Sequence, residues 1–322
     1  MDAMKKLERA LKIKSYTPDD IITVLFAKKY GVEAVPSIKK SPLYKDLIEI
    51  EKGKFSGELP ESDVDADYIL LQLVTYQTVK NYMKSKQAFC FDKDMISELS
   101  NTNADITFPK DVLSCLPCDT FCLDFSSNEE ICKKLDGYGF IVDINKISAE
   151  KEETEEYLLT YFKLSEKSSK NGSISPCILR LLDSGNEIDL KKLLSKENNI
   201  KEDVFINNLI IQSLIYLSSI EPDIRETEAS KASQASYRKQ KQKSRKKIEK
   251  PIQTFAVGER FGEAFRAWTK GQLDSEKAHW HRYWIGKNDN EEKKLAVKWV
   301  HQCICEDNER RIKNDTSRLQ KR

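Results

Sequence analysis

With 322 residues, 39% hydrophobic and 33% charged, the chain has apolar material for one large domain or two ordinary ones under a heavily charged surface. Its 54 basic and 52 acidic residues leave a formal net charge of +2, which excludes a nucleic-acid binder working by overall charge; any such role falls to a local patch. Eight cysteines do not make a disulfide scaffold at this size, and Met1–Ser15 carries charge where a secretory signal has its apolar core, so reduced thiols in a cytoplasm are expected.

Residues 1–84 read as a helical region. Pro18-Asp-Asp20 opens an apolar run at helical spacing (Ile21, Ile22, Leu25, Phe26) that Gly31 closes. A Pro/Gly/Ser-rich connection at Pro36–Pro60 encloses a short apolar piece, Leu43–Ile50. Asp63–Lys84 then spaces Tyr68, Leu71, Val74, Tyr76, Val79 and Tyr82 as an amphipathic helix.

Residues 85–225 read as an α+β domain. Phe89-Cys-Phe91 is strand-like, Asp92–Leu99 and Pro109–Leu116 are short helix candidates, and four apolar runs follow at Thr120–Phe125, Gly139–Ile144, Tyr157–Leu164 and Cys177–Leu182. Their polar or Gly/Asn/Ser-rich connections favour an antiparallel sheet over βαβ units. Ile188–Leu194 and Val204–Ile220 supply helices to cover one face, the second too short and too polar to span a bilayer. Cys115-x-x-Cys118-x-x-x-Cys122 has neither a second pair nor a nearby histidine to complete a zinc set, so buried thiols are expected there.

Glu221-Pro-Asp223 ends the long helix. Residues 226–251 then read as a basic flexible linker: Ala229–Lys250 holds nine basic residues against one acidic residue and no face that could bury in a core. Arg238, Lys239, Lys241, Lys243, Arg245, Lys246 and Lys247 are its candidate nucleic-acid contacts, since basic segments neutralise phosphates. A merely solvated linker fits the same composition. Residues 252–305 form a helix-plus-hairpin module, with Val257, Phe261, Ala264, Phe265 and Trp268 at helical spacing, and residues 306–322 a charged tail.

All three histidines (His279, His281, His301) and all four tryptophans (Trp268, Trp280, Trp284, Trp299) lie beyond residue 267. Written as a strand, residues 279–284 point His279, His281 and Tyr283 one way and Trp280, Arg282 and Trp284 the other. Gly286 begins a polar turn, Leu295–Val300 returns, and a hairpin brings Trp299 to the first strand's indoles. Four readings compete: a small satellite core, a peptide- or protein-binding surface, a nucleic-acid platform, and a metal or catalytic site. A zinc site from His279, His281, Cys303 and Cys305 lacks the usual C-x-x-C hook. Acid–base chemistry by His279 and His281, as in a metal-free ribonuclease, lacks an identifiable third group. No P-loop, dinucleotide fingerprint, H-E-x-x-H or G-x-S-x-G occurs, and no cofactor or metal is expected.

The stretch Ala278-His-Trp-His-Arg-Tyr-Trp-Ile-Gly286 followed by Val297-Lys-Trp299 resembles the C-terminal signature of the second type V-A anti-CRISPR family. Gly258-Glu-Arg-Phe-Gly262 resembles that family's Gly-Glu-Arg helix start, and Glu221-Pro-Asp-Ile224 its segment after a long apolar helix. Leu116-Pro117 leading to Phe121-Cys-Leu-Asp-Phe125 is similar to its central strand entry. The resemblance implies a mobile-element inhibitor acting in the bacterial cytoplasm. It would recognise the N-terminal peptide of the nascent type V-A effector nuclease and cause loss of the encoding message, with translating ribosome or mRNA as further partners. On that reading the partner surface takes in His279, Trp280, His281, Arg282, Tyr283, Trp284, Gly286 and Trp299, together with Glu221, Asp223, Glu259 and Arg260, and the chain is an adaptor rather than an enzyme. The alternative is an RNA-binding protein or ribonuclease using His279 and His281.

Overall fold

The computed structural model describes residues 78, 81–102, 107–148, 155–165, 176–181, 187–189, 201–243, 250–270, 278–285 and 294–303. The helices expected at Pro18–Gly31 and over most of Asp63–Lys84, the piece at Leu43–Ile50, Arg245, Lys246, Lys247, Gly286, Cys305 and the tail all lie outside the described residues. Thr78 and residues 81–85 are helical.

The protein is α+β, organised by a seven-stranded sheet. Its strands are β1 (Gln87–Phe91), β3 (Thr120–Asp124), β4 (Gly139–Ser148), β5 (Glu155–Leu164), β6 (Pro176–Leu181), β8 (Ile224–Glu226) and β9 (Gln253–Val257), in the order β6-β5-β4-β3-β1-β9-β8. Two smaller pairs stand apart: β2 (Thr107–Pro109) with β7 (Glu187–Asp189), and β10 (His279–Ile285) with β11 (Lys294–Val300). The described α-helices are α1 (Lys93–Asn101), α2 (Glu129–Leu135), α3 (Lys201–Leu217), α4 (Glu228–Lys243) and α5 (Glu259–Thr269).

The expected antiparallel sheet is found from β3 through β6, where each strand pairs with the next in the chain. The centre departs from it: β1 pairs parallel with both β3 and β9. A parallel pair needs a long crossover, and α1 with the 3-10 turn Lys110–Cys115 supplies it between β1 and β3. Strand β9, expected to belong to a separate C-terminal module, is thus built into the sheet between β1 and the edge strand β8, so that sheet spans the boundary placed near residue 251. Ile188 and Asp189, expected to open a helix, pair instead with Phe108 and Thr107.

Alternation along the strands sends aromatic side chains to one face. Phe89, Phe91, Phe121, Phe125, Phe140 and Tyr161 are buried with α1, α3 and α5 packed over them, and rings meet edge-on at 5.3–5.6 Å between Phe89 and Phe121, Phe91 and Phe125, and Phe140 and Tyr161. The opposite face buries the smaller set Ala88, Cys122, Ile141, Phe162 and Leu164 beneath Tyr82. Cys122 there behaves as a small hydrophobe, as expected, and burial pushes its thiol well above the ordinary value. Burial also pushes Cys118 up to about 12, whereas Cys115, expected to be buried, is exposed.

Residues 228–243, expected within a mobile linker, form α4 instead. Its Ala, Lys, Gln and Arg content consists of strong helix formers, which the missing hydrophobic face obscured.

Candidate functional site

The C-terminal hairpin forms as its alternation predicts. Strands β10 and β11 run antiparallel, with Trp280 opposite Trp299 and His281 opposite Lys298. Directly opposed residues share a face, so the inner face gathers Trp280, Val297 and Trp299, and the outer face His279, His281, Tyr283 and Lys298. Val297 and Trp299 are buried and Trp280 is half-buried, while His279, His281 and Tyr283 are exposed. Arg282, expected with the indoles, is also exposed and donates to Thr107 Oγ1 at 3.3 Å.

Two indole N–H groups fasten the hairpin to the sheet's helical layer. Trp280 Nε1 donates to Gln212 Oε1 at 2.6 Å, and Trp299 Nε1 to Thr102 Oγ1 at 3.3 Å. Gln212 is a fully buried amide inside the apolar helix α3, which has a polar partner to meet there. It was visible in the sequence only as a polar interruption of the Val204–Ile220 run. The backbone N–H of Ile220 adds a bond to Val297 O at 2.9 Å, and Lys298 Nζ lies 3.4 Å from Glu221 Oε2.

Beneath the hairpin, Trp299, Phe261, Phe265, Trp268 and His301 close an aromatic cluster, with Tyr216 edge-on to Trp299 at 6.0 Å. His301 is buried, and its Nδ1 accepts the Cys303 backbone N–H at 3.1 Å. The neutral ring therefore carries its proton on Nε2, which lies 3.7 Å from Glu98 Oε2. Burial lowers the His301 pKa; burial, with Asp94 adding to it, raises that of Glu98. His301 is thus a core residue, whereas His279 and His281 are surface residues. The rings of His281 and Tyr283 lie side by side, tilted by 52°, with centroids 4.5 Å apart. Cys303 is buried behind His301, and among the described residues no group of three or more His, Cys, Asp or Glu side chains is placed to hold a metal ion.

Two further expected segments meet each other. Asp223 is buried; its carboxylate accepts the Arg260 backbone N–H at 2.7 Å and Arg260 Nε at 2.6 Å, and its carbonyl accepts the Gly258 N–H at 2.8 Å. Asp223 thereby caps α5, whose own N-cap Gly258 has no side chain to do so. Gly258 sits at φ +76°, and a Cβ there would meet Met95 Cγ at 2.5 Å; a Cβ on Gly262 would meet the Asp92 carboxylate at 2.2 Å. Asp92 caps α1 and, with Asp94, holds Arg266, a second clasp that sequence reading missed because its partners lie far apart in the chain. Asp223 and Arg260 therefore bind each other, Asp223 buried and Arg260 partly exposed. Glu221 and Glu259 are exposed, and the side chains of Trp284 and Lys243 lie outside the described residues.

The architecture defined so far is an α+β protein with an aromatic core that carries an exposed, His/Tyr-bearing strand. The chain belongs to the anti-CRISPR type V subtype A2 family: the model of that AcrVA2-like family matches residues 89–306. The structure is similar to the crystal structure of AcrVA2, with a TM-score of 0.55 and 15% sequence identity over 94% of this chain and 98% of that one. This likeness establishes the shared fold. No curated protein matches the sequence. The protein is an anti-CRISPR of type V-A, and no helix among the described residues is long and apolar enough to cross a membrane.

Proposed function

We propose that the protein suppresses type V-A CRISPR immunity at the stage of effector production. It reads the N-terminal peptide of the effector nuclease as that peptide is synthesised in the host cytoplasm, and the encoding message is lost as a consequence. The inhibitor would act as an adaptor encoded by a mobile element rather than as the nuclease. The observation that carries this reading is β10: among the described residues no strand pairs with its outer edge, yet Trp280 and Trp299 pin the hairpin to the core. A pinned edge strand offers a row of backbone donors and acceptors to an extended peptide, and neighbouring side chains add selectivity. His279, His281 and Tyr283 stand beside that edge, where an incoming strand's alternate side chains would lie.

The test is a titration of the full chain against a peptide matching the effector N-terminus, with a scrambled peptide and a short RNA as controls. Saturable binding of the native peptide alone, weakened by His281→Ala or Tyr283→Ala, is expected. Equal binding of the scrambled peptide rejects the reading. RNA cleavage by the purified protein that disappears in His279→Ala would replace it with the ribonuclease alternative.

A further inference from the structure

Strands β8 and β9 are antiparallel neighbours, and such a pair can be joined by a two-residue turn. Here residues 227–252 intervene, most of them in α4. The topology does not require this excursion, so its residues answer to something other than the fold.

Among the described residues, the attachments of α4 lie in its first two turns. Thr227 and Thr254 share a hydroxyl hydrogen bond at 2.7 Å, Ser230 Oγ donates to Glu226 Oε1 at 2.9 Å, and the Thr254 N–H donates to Ser230 Oγ at 3.1 Å. Gln234 Nε2 reaches Pro251 O at 3.1 Å. Ser230, Gln234 and Tyr237 mark the inward stripe, and every residue from Arg238 through Gln242 is exposed. The helix thus leaves the sheet edge and projects.

Its charge is one-sided. The whole chain balances 54 basic residues with 52 acidic, but no acidic residue occurs between Lys231 and Ile248. Among the described residues, no carboxylate pairs with Arg238, Lys239 or Lys241. Like charges at close helical spacing cost stability, and a helix tuned only for solubility would intersperse glutamates. At about 100° per residue, Lys231, Arg238, Lys239 and Lys241 spread over roughly half the helix circumference. That spread suits a groove walled by anions on two sides better than a flat acidic patch. A membrane surface is a poor match, because an interfacial helix needs a large apolar face and α4 has none.

We propose that the projecting part of α4 is an RNA-binding arm whose Arg238, Lys239 and Lys241 contact phosphates of a structured RNA. The phosphate chemistry follows from the helix; the choice of RNA rests on the message-loss reading above. The experiment measures binding of the full chain to a fluorescent bulged RNA hairpin across a salt series, beside the triple variant R238Q/K239Q/K241Q. Glutamine keeps helix propensity, so the thermal unfolding curve and peptide titration of the variant should match those of the parent chain.

The expected result is RNA binding that weakens at least about tenfold in the variant, with the log–log salt slope shallower by about two to three units. Unchanged affinity and slope overturn the proposal. A DNA hairpin bound as tightly as the RNA overturns the choice of RNA, and capture by anionic lipid vesicles in place of RNA overturns it as well. Because peptide and RNA are titrated separately, loss of the peptide reading leaves the arm's result standing, and the reverse also holds.

Discussion

The two strands of the C-terminal hairpin use one vocabulary of residues for opposite ends. β11 and the residue just beyond it bury Trp299 and His301 among Phe261, Phe265 and Trp268. β10, a few ångströms away, leaves His279, His281 and Tyr283 in solvent. The concentration of imidazole and indole beyond residue 267 is therefore two features superimposed. One is a core that needs large flat rings; the other is a surface that needs polar rings. A strand inside the aromatic layer gains from burial, while an outward tyrosine that is 39% exposed gains less.

The strongest way to sharpen this contrast is to remove the buried half. Trp299→Ala deletes the ring shared by Tyr216, Phe261 and His301 and removes the indole N–H that donates to Thr102 Oγ1, leaving that hydroxyl only its own bond to Glu98 O at 2.8 Å. A loss of about 3–5 kcal/mol in denaturant unfolding is expected. A loss under about 1 kcal/mol would mean that the cluster is not a core at all. Next in size is Asp223→Ala, which removes the cap on α5 and leaves Arg260 without its partner. Because Arg260 is partly exposed, water takes over much of its charge, and the expected cost is about 1–2 kcal/mol. Loss of inhibition in that variant should track the loss of folded protein; inhibition lost from fully folded protein would return Asp223 to the partner surface.

How much of this could be read beforehand depends on whether a signal was local. The hairpin, the 3-10 turn, α1 and the four strands from β3 to β6 carry their period within a few residues, so each appears in the sequence close to its observed bounds. β9 does not: Gln253–Val257 runs into α5 with no turn residue but Gly258, and its partner β1 lies more than a hundred and fifty residues away. Helix α4 was hidden for a different reason. Helix formation there follows from backbone propensity without amphipathicity, and a reading tuned to hydrophobic periodicity assigns such a segment to a linker. In the site, the outward set His279, His281 and Tyr283 was legible from the two-residue period alone. The anchors Gln212 and Thr102 were not, since nothing local ties them to Trp280 and Trp299.

A smaller effect exposes the buried histidine through pH. Burial lowers the His301 pKa below its ordinary 6.5, so on acidification the unfolded chain takes up that proton first. The His301 contribution to stability is complete above pH 6.5 and is lost as pH falls from there toward the folded-state value. Glu98 acts in the opposite sense: its pKa is raised above 4.5, so its stabilising proton is fully held below 4.5 and lost as pH climbs through the raised value. His301→Gln should flatten the stability profile just below pH 6.5. An unchanged profile in that variant would mean that burial does not hold this ring neutral.

The smallest expected change in stability is the most informative about function. His281→Ala and Tyr283→Ala remove a ring pair on the exposed face of the hairpin, so unfolding should shift by no more than about 0.5 kcal/mol. Inhibition of type V-A immunity in cells should nonetheless fall severely, and it should do so without a change in the amount of inhibitor. That combination, folded protein with no activity, cannot arise from the satellite-core reading, in which these rings merely satisfy each other. Full inhibition by the double variant would move the peptide surface away from β10 and leave its exposed rings without a function.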